Sequence, residues 1–240
     1  MNAANLSKAG GRKYNEDYCS FLEDAGFGCY VLADGLGGHR GGATAAKITV
    51  EAILEHFKAS PGCSRDHLNG YLEKARFCFL AEQEKDRSLS NMKATLVVAL
   101  TDFCELCWGH IGDSRLYCFR QGRLIMQTKD HSVPQHLADS GAISQVNVRF
   151  HEDRNRLTRS FDGGDLSRFE IVDKPLKLQG NEAVLLCSDG FWEYVLEAEM
   201  EEDLQSAKTP ALWLDLMEKK LLARVESGND NYSALALFNS

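Results

Sequence analysis

The chain has 240 residues, is 44% hydrophobic and 26% charged, and carries 35 acidic against 27 basic side chains for a formal net charge of −8. That length can bury a sizeable core. The acidic balance argues against a nucleic-acid backbone or an anionic membrane as the main partner, while it suits a site that gathers divalent cations. No apolar run reaches the ~20 residues of a membrane span, and residues 1–17 hold no signal-peptide core, so the expected setting is the cytoplasm.

In chain order, Tyr18 to Leu22 and Gly28 to Ala33 read as short strands joined by the polar turn Glu23 to Gly26. Thr44 to Ala59 reads as a helix with Ile48, Ala52, Ile53 and Phe57 at helical spacing, and Pro61-Gly62 breaks it. Ser64 caps a second helix whose face is Leu68, Leu72, Ala75 and Phe79. Ala94 to Thr101, Glu105 to Gly112 and Arg115 to Arg120 are strand-like, and Gln121-Gly122 turns into a further short strand, a run of hairpins and so antiparallel sheet. Pro134 to Ser140 is a short helix ended by Gly141, and Gln145 to Phe169 is polar and gives no clear element. Glu170 to Leu178 and Ala183 to Cys187 are strands. Thr209-Pro210 starts a helix carried on by Leu214, Met217, Leu221 and Val225 and ended by Gly228, and Tyr232 to Phe238 is the last strand. Strands and helices in separate runs favour α+β layers over a doubly wound sheet. No repeat and no Pro-, Gly- or Ser-rich linker divides the chain, so residues 1–240 read as one domain. Of the eight cysteines, only Cys104 and Cys107 form a close pair; without a second pair or a histidine at finger spacing they read as small hydrophobes rather than zinc ligands.

Chemistry concentrates at strand ends. Val31-Leu32-Ala33 runs into Asp34, and five glycines follow between positions 35 and 42. A carboxylate beside glycine-rich backbone can serve a metal or a phosphate, because glycine lets a ligand come close; alone, the stretch fits a plain turn equally well. Glu16-Asp17, Gly112-Asp113, Ser188-Asp189-Gly190 and Asp230-Asn231 repeat the pattern of acids at strand ends. Carboxylates converging on one rim repel each other without a cation, and magnesium and manganese take oxygen ligands.

These residues, in this order, resemble the bacterial form of the metal-dependent serine/threonine protein phosphatases of the PPM family, the PP2C type. The motifs are Arg12-x-x-x-Glu16-Asp17, Asp34-Gly35-Leu36-Gly37-Gly38-His39, Gly112-Asp113-Ser114-Arg115, Thr128-Lys129-Asp130-His131-Ser132, Asn155-Arg156-Leu157-Thr158-Arg159, Ser188-Asp189-Gly190-Phe191-Trp192 and Asp230-Asn231. The resemblance implies a four-layer α-β-β-α sandwich, two antiparallel sheets flanked by helices. It also implies hydrolysis of phosphoserine and phosphothreonine in proteins with Mn²⁺ or Mg²⁺, in which two ions ~3.5–4 Å apart activate a water and clamp the in-line transition state. Carried over by position, Asp34 bridges the ions; Glu16 and the Gly35 carbonyl serve one, and Asp189 and Asp230 the other. Asp17 stands behind them, Asp113 with Asp189 matches a third-ion position, and Arg12 takes the substrate phosphate in a bidentate fork. A serine/threonine kinase is the implied partner.

Departures from the family pattern matter at three places. Leu36 stands where animal-type members have a histidine, which leaves the proton donor to a water on the metal or to His39. Lys93-Ala94-Thr95 replaces Gly-Thr-Thr, and Asp162-Gly163-Gly164-Asp165 replaces a single glycine in the flap region, beside Ser167-Arg168. The competing readings are an inactive regulatory module of the same fold, which would be expected to lose metal aspartates, and a nucleotide binder. Gly35-x-Gly37-x-x-Arg40 lacks the last glycine of the dinucleotide fingerprint, and no P-loop follows.

Overall fold

Strand β3 (Phe27–Leu36) buries Cys29 to Ala33 on both faces, so it must be covered from two sides. The computed structural model, which describes residues 2–36 and 40–239, shows how. One antiparallel sheet runs in the order β10 (Leu176–Lys177), β6 (Glu105–Ile111), β5 (Leu96–Thr101), β3 and β2 (Asp17–Asp24), with β4 (Lys93–Ala94) on β3 and β9 (Glu170–Ile171) on β6. The second runs β1 (Asn2–Lys8), β12 (Tyr232–Asn239), β11 (Glu182–Cys187), β7 (Arg115–Arg120) and β8 (Arg123–Gln127).

Strand alternation sorts the core into three layers. Tyr30 and Leu32 of β3 meet Leu116, Val184, Leu186, Leu235 and Leu237 between the sheets. Val31 and Ala33 point the other way, against Val50, Ile53 and Phe57 of α1 (Arg40–Ala59) and Leu72 and Phe79 of α2 (Arg65–Lys85). On the far side, Tyr117, Phe119 and Leu185 pack on α4 (Asp189–Trp192), α5 (Glu197–Ser206) and α6 (Pro210–Leu222) through Trp192, Met200 and Trp213. The result is the four-layer α-β-β-α sandwich. A shorter helix, α3 (Val133–Asp139), lies in the connection after β8.

Several boundaries differ from expectation for identifiable reasons. The strand expected over 170–178 is two short pieces, β9 and β10, both paired to β6. Pro175 lies between them and has no N–H to give a ladder. Helix α6 stops at Leu222 rather than running through Val225. Strand β1 and helix α5 were not expected: β1 is polar and short of β-branched residues, and α5 buries only Met200 and Asp203. Ser64 and Thr209 do cap α2 and α6, their hydroxyls accepting the N–H groups of His67 and Leu212.

Register brings the acidic loops together. Asp17 pairs with Asp34 across β2–β3. In the other sheet Cys187 sits opposite both Arg115 and Ala234, so the loops carrying Asp113, Asp189 and Asp230 leave from one end. Both ends meet at one rim of the sandwich.

Candidate active site

A cavity of about 500 Å³ opens at that rim, lined by Arg12, Glu16, Asp34, Gly35, Asp113, Asp189 and Asp230, and also by Lys13, Tyr14, Leu36, Asn155, Leu157 and Asn231. Of the residues singled out in the sequence, Asp17 lies behind this wall, buried, and His39 lies outside the described residues.

Hydrogen bonds from neighbouring backbone and side chains position the acids. Asp34 N–H donates to Thr95 Oγ1 at 3.1 Å, and its carbonyl accepts from Thr95 N–H at 2.8 Å. That makes Thr95, in the departure Lys93-Ala94-Thr95, a support for the site. Gly112, at φ +101°, turns the chain into Asp113, and its N–H donates to His131 Nδ1 at 3.1 Å. Ser188 Oγ donates to Asp17 Oδ2 at 2.8 Å and accepts from Ser233 N–H at 3.0 Å, which joins β11 and β12 to β2. Carboxylate oxygens of Asp34, Asp113 and Asp189 all lie within 4.8 Å of one another.

Crowding and burial set the protonation of these groups. Burial pushes Asp17 up from 3.8 to about 6 and Asp189, also facing Glu193 and Asp17, to about 7. Asp34 is raised well above the ordinary carboxylate range by burial and by the charges of Asp17, Asp189, Asp113 and Asp230. Burial and Asp189 do the same to Asp113. The Oδ1 atom of Asp17 is buried without a hydrogen-bond partner.

That donor set fits divalent cations. All candidate ligands are carboxylate or carbonyl oxygens, the chemistry that hard ions take, and the repulsion among them is what a cation relieves. A second group of donors flanks the first. Glu16 Oε2 and the Gly35 carbonyl oxygen both lie within 2.7 Å of the point where a Gly42 Cβ would stand. Only glycine leaves that space open, so Gly42→Ala is expected to weaken Mn²⁺ binding about tenfold or more, read by titration calorimetry, while the circular dichroism spectrum stays that of the wild type.

Sequence reasoning missed the groups that brace the acids from behind. Arg115, buried at 3% exposure, makes a bidentate pair with Asp130 at 2.7 Å on each arm. Its guanidinium also lies 3.4 Å from the Trp192 ring centroid. Trp192 Nε1–H donates to the Asp113 carbonyl at 2.9 Å, tying the Asp189 helix to the Asp113 loop. The signal was present, since Arg115, Asp130 and Trp192 each sit in a quoted motif, but spacing alone cannot say that the three meet. Arg12 is not isolated: its Nη2 lies 3.0 Å from Asp230 Oδ2. In the flap region, Asn155 and Leu157 reach the cavity, whereas Arg168 turns to Asp162 at 3.4 Å. Gly163 and Gly164 are held to α2 by Arg76 Nε, 3.0 Å from each carbonyl.

Known proteins are similar to this chain in sequence and in fold. The family model for protein phosphatase 2C matches residues 7–223. The serine/threonine phosphatase stp of Listeria innocua is 31% identical over 232 residues, 93% of this chain and 90% of that protein. The crystal structure of the Mycobacterium tuberculosis serine/threonine phosphatase PstP/Ppp superposes with a TM-score of 0.84 at 29% identity, over 99% of this chain and 98% of that one. The catalytic domain of the serine/threonine protein phosphatase PstP in complex with two manganese ions gives 0.80 at 27% identity, over 98% and 96%. By sequence, by fold and by the order of its acidic motifs, the chain belongs to the protein phosphatase 2C family and is a bacterial-type serine/threonine phosphatase.

Proposed function

We propose that the rim is a two-cation centre that hydrolyses phosphoserine and phosphothreonine in proteins; Asp34, Glu16, the Gly35 carbonyl, Asp189 and Asp230 would hold the ions. The observation that carries this is the meeting of Asp34, Asp113 and Asp189 oxygens within 4.8 Å, at a cavity that also presents Arg12. When bound, divalent cations supply a water nucleophile active near neutral pH and positive charge for the phosphoryl oxygens. The protein's own groups do the rest. Asp17 and Ser188 fix the floor from behind. Asp113 with Asp189 offers a further cation position. Arg12 turns its guanidinium from Asp230 toward phosphate oxygens, which it matches as a fork. Leu36 transfers no proton, so the leaving oxygen is protonated by another group.

Any such substrate presupposes a serine/threonine kinase that makes it, and we take that kinase to be this enzyme's functional counterpart. No helix among the described residues is long and apolar enough to cross a membrane, and all eight cysteines are free. Both features support a reducing, cytoplasmic setting.

Phosphate release from a phosphothreonine peptide tests the reading. Release is expected with Mn²⁺ and is expected to cease when EDTA is added. Release that persists in EDTA would refute the metal role, and no release with Mn²⁺ or with Mg²⁺ would favour a regulatory module that binds without catalysis.

A further inference from the structure

Asn231, itself buried, clamps the segment that leads into the acidic floor. Its side-chain amide donates to the carbonyls of Ala9 and Tyr14, both at 2.9 Å, and its Oδ1 accepts from Glu16 N–H at 2.8 Å. Gly11 N–H adds a bond to the Asn229 carbonyl at 3.0 Å. The backbone over 9–16 is therefore fixed without help from the exposed side chains it carries. Those side chains, Arg12, Lys13 and Tyr14, face the cavity.

The charges lining that cavity are unbalanced. Five are acidic, Glu16, Asp34, Asp113, Asp189 and Asp230, and two are basic, Arg12 and Lys13. Arg12 already shares Asp230. Lys13 is exposed and pairs with no carboxylate among the described residues; its Nζ lies 5.1 Å from the centroid of the Tyr14 ring, which is 51% exposed. A cation over an aromatic face is held loosely in place without being neutralised. The rim thus offers one ammonium without a carboxylate partner among the described residues, next to the arginine assigned to phosphate, on a backbone that does not have to be ordered when substrate arrives.

We propose that Lys13, backed by Tyr14, is a specificity-determining residue that selects phosphoproteins carrying a second anionic group, carboxylate or phosphate, beside the phosphoresidue. This rests on the phosphatase reading above. An extended substrate advances ~3.4 Å per residue, so a group one or two residues from a phosphate held at Arg12 comes within reach of the neighbouring ammonium. Without Lys13, Arg12, already engaged with the phosphate, would be the one basic side chain left among the residues that line the cavity.

The test uses the full chain with Mn²⁺ and phosphothreonine peptides that differ only within two residues of the phosphate, on either side: glutamine, glutamate, or a non-hydrolysable phosphonate. For the wild type, kcat/KM is expected to be about two- to fivefold higher with the anionic neighbour than with glutamine, the size of an exposed ion pair. Preference in the glutamate arm identifies a carboxylate as the recognised group; preference confined to the phosphonate arm identifies a second phosphate. Lys13→Ala is expected to bring the ratio close to one, Lys13→Glu to invert it, and Lys13→Arg to keep it. A wild-type ratio of one in both anionic arms, or a preference that Lys13→Ala leaves intact, overturns the proposal while the phosphatase reading stands. If the wild type hydrolyses none of the peptides, that reading falls and takes this one with it.

Discussion

Asp34→Asn is expected to lower kcat/KM on a phosphothreonine peptide by about 1,000-fold or more, because Asp34, as the cation ligand proposed above, would sustain several kcal/mol of transition-state stabilisation and each 1.4 kcal/mol is about tenfold. The same substitution is expected to make the metal-free protein more stable. Asp17 rises from 3.8 to about 6 and Asp189 to about 7 in the folded state, first through burial. A carboxyl raised in this way holds its proton in the folded chain at pH values where the unfolded chain has released it. Between about pH 4 and 7 the folded state therefore binds more protons, and stability falls as pH rises through that window. Each unit of displacement costs about 1.4 kcal/mol. In EDTA, the wild-type melting temperature is expected to drop from pH 5 to pH 7.5, and Mn²⁺ to restore it. Asp34→Asn removes the charge at the centre of the cluster and is expected to flatten that dependence. A metal-free wild type whose melting point rises over the same interval would show that the carboxylates are not crowded in solution.

The largest loss of stability is expected at Asp130. Its bidentate pair with Arg115 is buried, with side-chain exposures of 2% and 3%. Asp130→Ala leaves a guanidinium buried with its main partner gone, and breaking such a pair costs about 3–5 kcal/mol. For a chain of this size that is a fall in melting temperature of roughly 6–20 °C. Replacing both partners, Arg115→Met with Asp130→Leu, removes the charge as well as the pair and is expected to recover much of the loss. Activity should recover less, since Arg115 also backs the Trp192 ring, whose N–H holds the Asp113 carbonyl. A single Asp130→Ala variant that melts with the wild type would show that the pair contributes little.

How far the sequence carried can be stated by residue. Apolar runs that end in an acid located β3, β6 and β11, apolar runs that follow one located β7 and β12, and capping chemistry at Ser64 and Thr209 located α2 and α6, because those signals are local. The two-sheet packing was not readable from periodicity: β3 is apolar on both faces, so its pattern does not say which face meets helices and which meets the other sheet. It came instead from motif order. Convergence of Asp17 with Asp34, and of Asp113, Asp189 and Asp230, depends on strand register, which no spacing in the chain encodes. The braces behind the site, Arg115 with Asp130 and Trp192, and Asn231 with Ala9, Tyr14 and Glu16, join positions far apart in sequence and became visible only in three dimensions. Strand β1 escaped notice because its pairing with β12 is made by backbone groups, which its polar side chains do not advertise.

The claim on which the rest depends is that these acids are a ligand set for more than one cation. Counting Mn²⁺ bound at equilibrium, by electron paramagnetic resonance of the free ion in a titration of the metal-free protein at pH 7.5, tests it most directly. At least two ions per chain are expected for the wild type, with a loss of tight binding in Asp34→Asn. A wild type that binds one ion or none, or an Asp34→Asn variant that binds as many as the wild type, would contradict it.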